Sequence, residues 1–223
     1  MRAAVYFTPP PTSHLVRAAA EWLGRDAFTG DATRPPDPGI DPLVAEPARY
    51  GFHATIRAPF RIAEGEDLGS VDERLARLCA SLKPVRIPAI VLAGLGPFFA
   101  LVPEAPGAGL SDLEAAALEA FEPYRAPLTE AEIARRRPEG LTERQRRNLD
   151  RWGYPHVLDD FRFHMTLTGP VEALKSPEVK RELARRFAAF DGAPLVVDAL
   201  ALFVEAEPGA AFRVHSLHPF GSP

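Results

Sequence analysis

Cysteine is almost absent from this sequence: Cys79 is the single example among 223 residues. One cysteine excludes an intrachain disulfide framework and fits a reducing compartment. The sequence also lacks any apolar run near the roughly 20 residues that a membrane-spanning helix requires. Residues 1–7 lack the basic, apolar and cleavage regions of a secretory signal. We therefore expect a cytoplasmic protein with no membrane partner.

Motifs that would indicate a cofactor or a metal are also missing. The sequence has neither the glycine-rich loop of nucleoside triphosphatases nor that of dinucleotide-binding folds. It has no His-Glu-x-x-His segment and no cysteine cluster. His215 and His218 are spaced His-x-x-His, but a strand would point them to opposite faces. The sequence therefore predicts no cofactor and no bound metal.

The charge balance argues against one class of partner. The formal net charge is −4, with 46% hydrophobic and 25% charged residues, as in ordinary globular domains. Proteins that bind long nucleic acids without sequence preference usually carry a basic surface. We therefore expect no long nucleic acid as a partner, and the composition does not bear on the oligomeric state.

The predicted elements alternate between strands and helices. Runs of Val, Ile, Leu and Phe bounded by Pro or Gly predict strands at residues 3–8, 49–59, 86–95, 98–102, 161–168, 195–205 and 212–217. Helical periodicity predicts a helix over residues 13–23 and others that begin at Ser70, Ser111 and Ser176. Ser70 and Ser111 each open a Ser-x-x-Glu capping box. Residues 29–47, rich in Pro and Asp, predict a loop.

The most informative feature is an internal repeat. Residues 50–59 (YGFHATIRAP) align without gaps with residues 161–170 (FRFHMTLTGP), and Phe, His, Thr and Pro recur at matching positions. A predicted helix and two predicted strands follow each copy. This duplication predicts an α+β fold in which residues 1–223 form a single bilobal domain with a pseudo-two-fold axis. We expect two antiparallel sheets to line a central cleft, with the helices outside.

One segment, about residues 123–160, has no counterpart in the second half and is predicted to be a helical insertion. Thr129 and Thr142 each begin a capping box, which predicts two short helices, the second ending at Gly153. Seven arginines cluster within residues 135–151. One interpretation is a solvated helical face paired with nearby glutamates. The other is a lid that brings cations to a phosphorylated substrate.

Side-chain alternation gives each repeated strand one apolar and one polar face. The polar faces carry imidazole, hydroxyl and guanidinium groups, namely those of His53, Thr55, Arg57, Arg162, His164 and Thr166. Burying such groups without partners would cost about 1–3 kcal/mol each. We therefore expect the polar faces to line the cleft.

Two histidines that face each other across a cleft suit cleavage of a phosphodiester. One neutral imidazole deprotonates a water or a ribose hydroxyl, and the other, protonated, donates to the leaving oxygen. Thr55 and Thr166 can donate hydrogen bonds to nonbridging phosphate oxygens. Arg57 and Arg162 can neutralise charge in the transition state. This arrangement requires no metal, and it leaves open which histidine is the base.

A single His-x-Thr segment is usually structural, whereas two copies that share the flanking Phe and Pro favour a functional pair. Three other side chains lie near the two motifs or the insertion and are candidate lid or substrate contacts: Tyr50, Tyr154 and His156. For His156, the other interpretation is that it does not approach the substrate.

The segments Phe-His-Ala-Thr-Ile at residues 52–56 and Phe-His-Met-Thr-Leu at residues 163–167 resemble the two-histidine phosphoesterase superfamily. Its members include bacterial 2′-5′ RNA ligase-like proteins and cyclic nucleotide phosphodiesterases. Residues 50–55, 135–142, 151–155 and 161–169 are further similar to the branch encoded among phosphonate-degradation genes.

This resemblance implies that both His-x-Thr pairs meet at a central groove and that catalysis proceeds without metal. It implies a catalytic role for His53 and His164. Arg57 stands where the branch often has lysine, which keeps a cation but changes its geometry. The gene context implies that 5-phosphoribosyl 1,2-cyclic phosphate is opened to ribose 1,5-bisphosphate. Its 5-phosphate would need a second cationic group, from Arg162 or from the insertion.

Other functions stay open at this point. An enzyme acting on 2′,3′-cyclic or 2′-5′-linked RNA ends would share the histidines but would need a long groove with aromatic stacking platforms. A non-catalytic protein that binds phosphometabolites would keep the cleft without turnover. A metal-dependent hydrolase has the least support. Turnover of cyclic phosphates in the presence of a chelator separates these alternatives.

Overall fold

The predicted α+β class is confirmed by the computed structural model, which describes residues 1–107 and 109–221. The strands are β1 (Arg2–Phe7), β2 (Ala54–Phe60), β3 (Val85–Ile87), β4 (Ile90–Leu95), β5 (Phe98–Pro103), β6 (Met165–Thr166), β7 (Leu195–Val197), β8 (Ala199–Glu205) and β9 (Arg213–Pro219). The helices are α1 (His14–Leu23), α2 (Asp41–Tyr50), α3 (Leu68–Ser81), α4 (Leu110–Phe121), α5 (Glu130–Arg135), α6 (Glu143–Trp152) and α7 (Ser176–Arg186). Within the described part of the chain, none of these helices has the length and apolar character needed to cross a membrane.

Seven strands form one antiparallel sheet in the order β4-β5-β6-β2-β1-β8-β9. The two strands that carry the repeats, β2 and β6, are neighbours in the middle of this sheet and pair through Ala54 and Met165. The two predicted sheets are therefore joined edge to edge at the strands that carry the motifs.

The hairpin that follows each repeat lies on the side of the other repeat. The β4–β5 hairpin follows β2 in the chain but pairs with β6, whereas the β8–β9 hairpin follows β6 and pairs with β1, the neighbour of β2. The corresponding short strands β3 and β7 pair with each other in a separate two-stranded sheet. The two halves are thus interleaved, and their description as two lobes stays a prediction.

Alternation gives the large sheet a core face and a cleft face. Helices α1, α3, α4 and α7 pack against the core face, where the predicted apolar rows are confirmed as buried: Phe52, Ala54, Ile56, Phe163, Met165 and Leu167. A smaller cluster on the cleft face contains Tyr6, Phe203 and Phe212. The lone Cys79 is buried in the main core.

The prediction of a loop over residues 29–47 is wrong in its last part, because α2 occupies Asp41–Tyr50. Pro47 lies inside this helix and cannot donate to the carbonyl of Leu43, four residues earlier. That carbonyl instead accepts from the backbone N–H of Gly169, at 2.7 Å. The helix therefore tolerates the proline by bonding to the end of the second repeat.

Several element boundaries also differ from the prediction. The strand expected from residue 49 begins only at Ala54, and the second repeated strand is reduced to Met165–Thr166. The capping boxes predicted to start at Ser70 and Ser111 are wrong. Helix α3 begins one turn early, where Asp67 is the N-cap and Ser70 completes the box as its third residue. Helix α4 follows Gly109 without a side-chain cap.

The insertion contains the two helices that its capping boxes predict. Thr129 caps α5 and Thr142 caps α6, each in a reciprocal box with the residue three positions later. Helix α6 ends at Gly153 in the left-handed conformation, as expected. Short 3-10 turns precede and follow these helices, the last at Leu158–Asp160.

Candidate active site

The pairing of β2 with β6 brings the two motifs together. Because Ala54 pairs with Met165 in antiparallel register, His53 lies opposite Thr166, and Thr55 lies opposite His164. Side chains directly opposite each other share a face of the sheet, with Cβ atoms about 4.5–5.5 Å apart. The two imidazoles and the two hydroxyls therefore form one cluster on the cleft face.

The backbone just before β2 fixes the orientation of the His53 ring. Its Nδ1 lies 2.9 Å from the carbonyl oxygen of Gly51, which can only accept. Nδ1 therefore carries the hydrogen in the neutral ring, which leaves Nε2 as the acceptor. The Thr55 hydroxyl lies 3.2 Å from Nε2 and donates to it. The Nε2 lone pair of His53 is thus directed towards the cluster.

The Tyr6 ring covers one face of His53. The ring centroids are 3.8 Å apart with an interplanar angle of 19°, and Tyr6 itself is only 1% exposed. The stack shields that face from water, and burial lowers the pKa of His53 to about 4 although the hydrogen bond to Gly51 opposes the change. The charge of His164 lowers it further. His53 is therefore neutral at neutral pH.

His164 repeats the backbone contact of His53 in a more open setting. Its Nδ1 donates to the carbonyl oxygen of Arg162, two residues earlier, at 2.7 Å. The nearest aromatic ring is that of Phe98, tilted, with centroids 6.0 Å apart. The two histidines are thus held by equivalent contacts, but only His53 has an aromatic ring stacked on its face.

Two neighbouring cavities open on the cluster. The first, the central cavity, has a volume of about 430 Å³, and the second, the His164 cavity, about 610 Å³. His53 and Thr166 line the central cavity, whereas His164 lines the His164 cavity. Thr55 and Tyr154 line both. The motif side chains therefore border a connected space large enough for a small organic phosphate.

Arg57 does not occupy the phosphate-binding position predicted for it. One step along β1, from Tyr6 to Val5, corresponds to two along β2, from Thr55 to Arg57. This bulge interrupts the alternation of side chains. Arg57 is 1% exposed and donates to the Trp152 carbonyl at 2.6 Å.

The guanidinium of Arg57 is also paired with a carboxylate. It contacts Glu122 at 3.0 Å, while its Nε is buried without a hydrogen-bond partner within the described residues. Burial lowers the pKa of Arg57 to about 10, which leaves it charged at neutral pH. The correction is that Arg57 ties β2 to the end of α6, because both of its contacts lie in or beside the insertion.

The other predicted contacts surround the cleft. Arg162 is exposed and lines the His164 cavity, as does His156. Tyr50 and Tyr154 line the central cavity. Thr168, in contrast, is buried and accepts from the Phe99 backbone N–H at 3.0 Å. Its role is structural.

Several residues that shape the cleft were not predicted from the sequence. Tyr6 looks like any apolar residue of an ordinary buried strand. Glu114 is buried and lines the His164 cavity, where it accepts from the Leu158 N–H at 3.2 Å. Burial raises the pKa of Glu114 to about 7. In the sequence, Glu114 completes a Ser-x-x-Glu pattern. That pattern indicates a helix-capping role, and so gave no reason to expect Glu114 in the cleft.

Potential metal ligands elsewhere in the chain are dispersed. In residues 1–107 and 109–221, no group of three or more His, Cys, Asp or Glu side chains is arranged to hold a metal ion. His218 instead contacts Asp72 at 2.8 Å, beside a hydrogen bond from Ser216 to the same carboxylate. This contact joins β9 to α3.

Two curated proteins are similar to nearly all of this chain. One, from Janthinobacterium sp. (strain Marseille), is named ribose 1,5-bisphosphate phosphokinase PhnN; it is 37% identical over 232 residues, which cover 98% of this chain and 51% of that protein. The protein of the same name from Laribacter hongkongensis (strain HLHK9) is 39% identical over 218 residues, covering 96% of this chain and 50% of its own length. The chain spans about half the length of the curated relatives it matches.

Solved structures with a similar fold include TT0787 of Thermus thermophilus, at 15% identity and a TM-score of 0.47, covering all of both chains. Escherichia coli LigT complexed with 3′-AMP has 12% identity and a TM-score of 0.47, covering 99% of this chain and 98% of its own.

A family model covers most of the sequence. It is described as "Protein of unknown function (DUF1045)" and matches residues 55–213, from the threonine of the first motif to the start of β9. The chain belongs to the DUF1045 family.

Proposed function

We propose that this chain is a phosphodiesterase that opens a small cyclic phosphate. The observation that carries the proposal is the antiparallel pairing of Ala54 with Met165, which sets two His-x-Thr segments around one cleft. Two imidazoles and two hydroxyls on a shared face supply a base, an acid and two phosphate ligands. The resemblance of these segments to two-histidine phosphoesterases supports the same chemistry.

His53 acts as the general base in this proposal. Its neutral ring presents the Nε2 lone pair, because Nδ1 donates to Gly51. Nε2 takes a proton from water, and the resulting hydroxide oxygen bonds to phosphorus. Protonated His164 gives its proton to the sugar oxygen as the bond from that oxygen to phosphorus breaks. The product is a phosphomonoester, and each proton transfer contributes about 10²–10⁴-fold in rate.

Thr55 and Thr166 hold the nonbridging oxygens of the phosphate. The Thr55 hydroxyl donates to His53, and it turns to the phosphate when substrate binds. Thr166 faces the same central cavity. Hydrogen bonds to an oxygen that gains negative charge strengthen in the transition state, which lowers the barrier.

The substrate that we propose is 5-phosphoribosyl 1,2-cyclic phosphate, opened to ribose 1,5-bisphosphate. The curated relatives of about twice this length bear the name of a phosphokinase of ribose 1,5-bisphosphate, so the proposed product is the compound in that name. The similarity of the chain to proteins encoded among phosphonate-degradation genes favours the same substrate.

The proposal is tested by assaying a panel of cyclic phosphates with EDTA present. The panel contains 5-phosphoribosyl 1,2-cyclic phosphate and 2′,3′-cyclic nucleotides, and the variants are His53→Gln and His164→Gln. We expect each substitution to lower kcat by about 10²–10⁴-fold. The matched control is His14→Gln, which removes an exposed histidine at the start of α1 and should keep the wild-type rate.

Each other outcome counts against a part of the proposal. A near wild-type rate in either motif variant removes the role of that histidine. Loss of activity on chelation indicates a metal-dependent reaction instead. Preference for RNA-type 2′,3′-cyclic ends favours the RNA-end enzyme, and tight binding without turnover favours a non-catalytic binding protein.

A further inference from the structure

A third cavity, the arginine cavity, adjoins the central cavity and is not lined by His164. It has a volume of about 260 Å³ and is lined by seven arginines and a single carboxylate, Glu132. Arg2, Tyr50, Arg136 and Tyr154 line this cavity and the central cavity together. A ligand in the central cavity can therefore extend into the arginine cavity.

Most of these arginines are paired with acidic side chains. Arg2 and Arg49 share the buried carboxylate of Glu205, while Arg57 and Arg125 share Glu122. Two positive charges against each carboxylate leave an excess of positive charge around both pairs. The cavity is therefore cationic although its individual ion pairs are satisfied.

Arg136, like the exposed Arg135, has no carboxylate partner within the described residues. Its guanidinium lies over the Tyr154 ring, 4.9 Å from the centroid, and it is half-buried. Arg2 contacts Glu205 through Nε and Nη2, so Nη1 is left for another acceptor. Two guanidinium groups from opposite regions of the chain, β1 and the insertion, thus present donors to one space.

The reacting centre lies close to this space. The Tyr50 ring, which borders both cavities, is 6.2 Å from the His53 ring and 5.6 Å from the guanidinium carbon of Arg49. Arg162 lines the His164 cavity instead. Cations are therefore concentrated on the His53 side of the cleft, close to the proposed base.

We propose that Arg2 and Arg136 form a subsite for a phosphomonoester at the end of the substrate remote from the cyclic phosphate. Guanidinium groups bind phosphate oxygens in paired hydrogen bonds, and a dianionic phosphate matches the excess of positive charge here. This inference rests on the proposed function and deepens it. The subsite makes the enzyme prefer a cyclic phosphate that carries a second phosphate.

The test compares two substrates that differ only in that group: 5-phosphoribosyl 1,2-cyclic phosphate and ribose 1,2-cyclic phosphate. We expect wild type to prefer the first in kcat/KM and Arg136→Gln to reduce that preference about tenfold or more, mainly through KM. Arg136→Lys should retain part of the preference. Arg147→Gln, an equal charge change on the exposed face of α6, should leave the preference as in wild type.

Binding of ribose 5-phosphate, measured by calorimetry, separates failure of the subsite from failure of the proposed reaction. Binding to wild type and its weakening in Arg136→Gln support the subsite even if neither cyclic phosphate is hydrolysed, which would refute only the proposed reaction. Equal hydrolysis of both substrates by wild type refutes the subsite while the reaction stands. An unchanged preference in a folded Arg136→Gln protein, checked by circular dichroism, also refutes it.

Discussion

Tyr6 stacks on His53 with ring centroids 3.8 Å apart, and no equivalent ring lies against His164 within the described chain. The two motifs are near copies in sequence. The Tyr6 contact nevertheless gives their two histidines different surroundings. It shields one face of the His53 ring from water, whereas His164 has no stacked ring and lines the His164 cavity. In the proposed mechanism, the difference between base and acid therefore originates in β1, outside both repeats.

The Tyr6 stack should set the acid side of the pH profile. Because protonated His53 cannot act as a base, kcat/KM in wild type should fall only as the pH approaches about 4. Tyr6→Leu admits water to the ring, which should raise the pKa of His53 and move the fall to higher pH. Tyr6→Phe keeps the stack and should keep the wild-type profile. Identical pH profiles of kcat/KM in the Tyr6→Leu variant and in wild type would show that Tyr6 does not have this role.

Gly51 should not tolerate a side chain. Its φ is +76°, and an added Cβ would lie 2.4 Å from the Cβ of Ala27. Gly51→Ala should therefore displace the carbonyl that holds His53, lowering both the thermal midpoint and kcat/KM. Gly65→Ala is the matched control, since it has a φ of +87° and nothing within 4 Å of the added atom. It should cost about 1–2 kcal/mol without loss of kcat. Equal kcat in both variants would show that the Gly51 carbonyl does not position the base.

Glu114 should make stability depend on pH. The carboxyl has a pKa of about 7 in the folded state against an ordinary 4.5. As the pH rises, this carboxyl therefore loses its proton at a lower pH in the unfolded chain than in the folded one. The free energy of unfolding consequently falls between about pH 4.5 and 7. Glu114→Gln removes this loss, so it should be more stable than wild type at pH 8 by up to about 3 kcal/mol and similar at pH 4.5.

Urea unfolding at the two pH values measures the effect of Glu114→Gln. Glu119→Gln, an exposed position on the same helix, should differ from wild type equally at both pH values. A constant difference for Glu114→Gln as well would mean that this carboxyl is ionised throughout the range.

Arg57 should hold the insertion rather than the substrate. Arg57→Met breaks the contacts to Glu122 and to the Trp152 carbonyl, which should cost about 3 kcal/mol. Limited proteolysis within residues 129–153 should become faster. Arg77→Met, which breaks an exposed helical ion pair, should cost about 1 kcal/mol or less. If Arg57→Met leaves stability and proteolysis unchanged but raises KM, the earlier phosphate-binding prediction is correct after all.

The repeat made much of the fold predictable from sequence. The apolar rows around the two motifs pack in the core as expected, because a period of two determines which side chains share a face. The insertion helices were also predictable, because the threonines at positions 129 and 142 have a single plausible capping partner.

The parts that were not predictable depend on contacts between distant segments. The bulge that displaces Arg57 is a property of the β1–β2 pairing and has no local signal. Helix α2 was not predicted because Pro47 disfavours a helix. The backbone hydrogen bond that Pro47 cannot donate is replaced by one from Gly169, more than a hundred residues away. Tyr6 reaches the site only because β1 is inserted beside β2 in the strand order.

The crossed placement of the two hairpins has a consequence for how this chain can be divided. The hairpin of each half pairs with a strand of the other half. Neither half, expressed alone, would therefore contain a complete sheet or both histidines. A half-length protein of this design would have to exchange hairpins with a second copy, as domain-swapped dimers do. The present chain is the covalently linked equivalent of such a dimer, and its linked halves differ in that Tyr6 stacks on the histidine of the first motif.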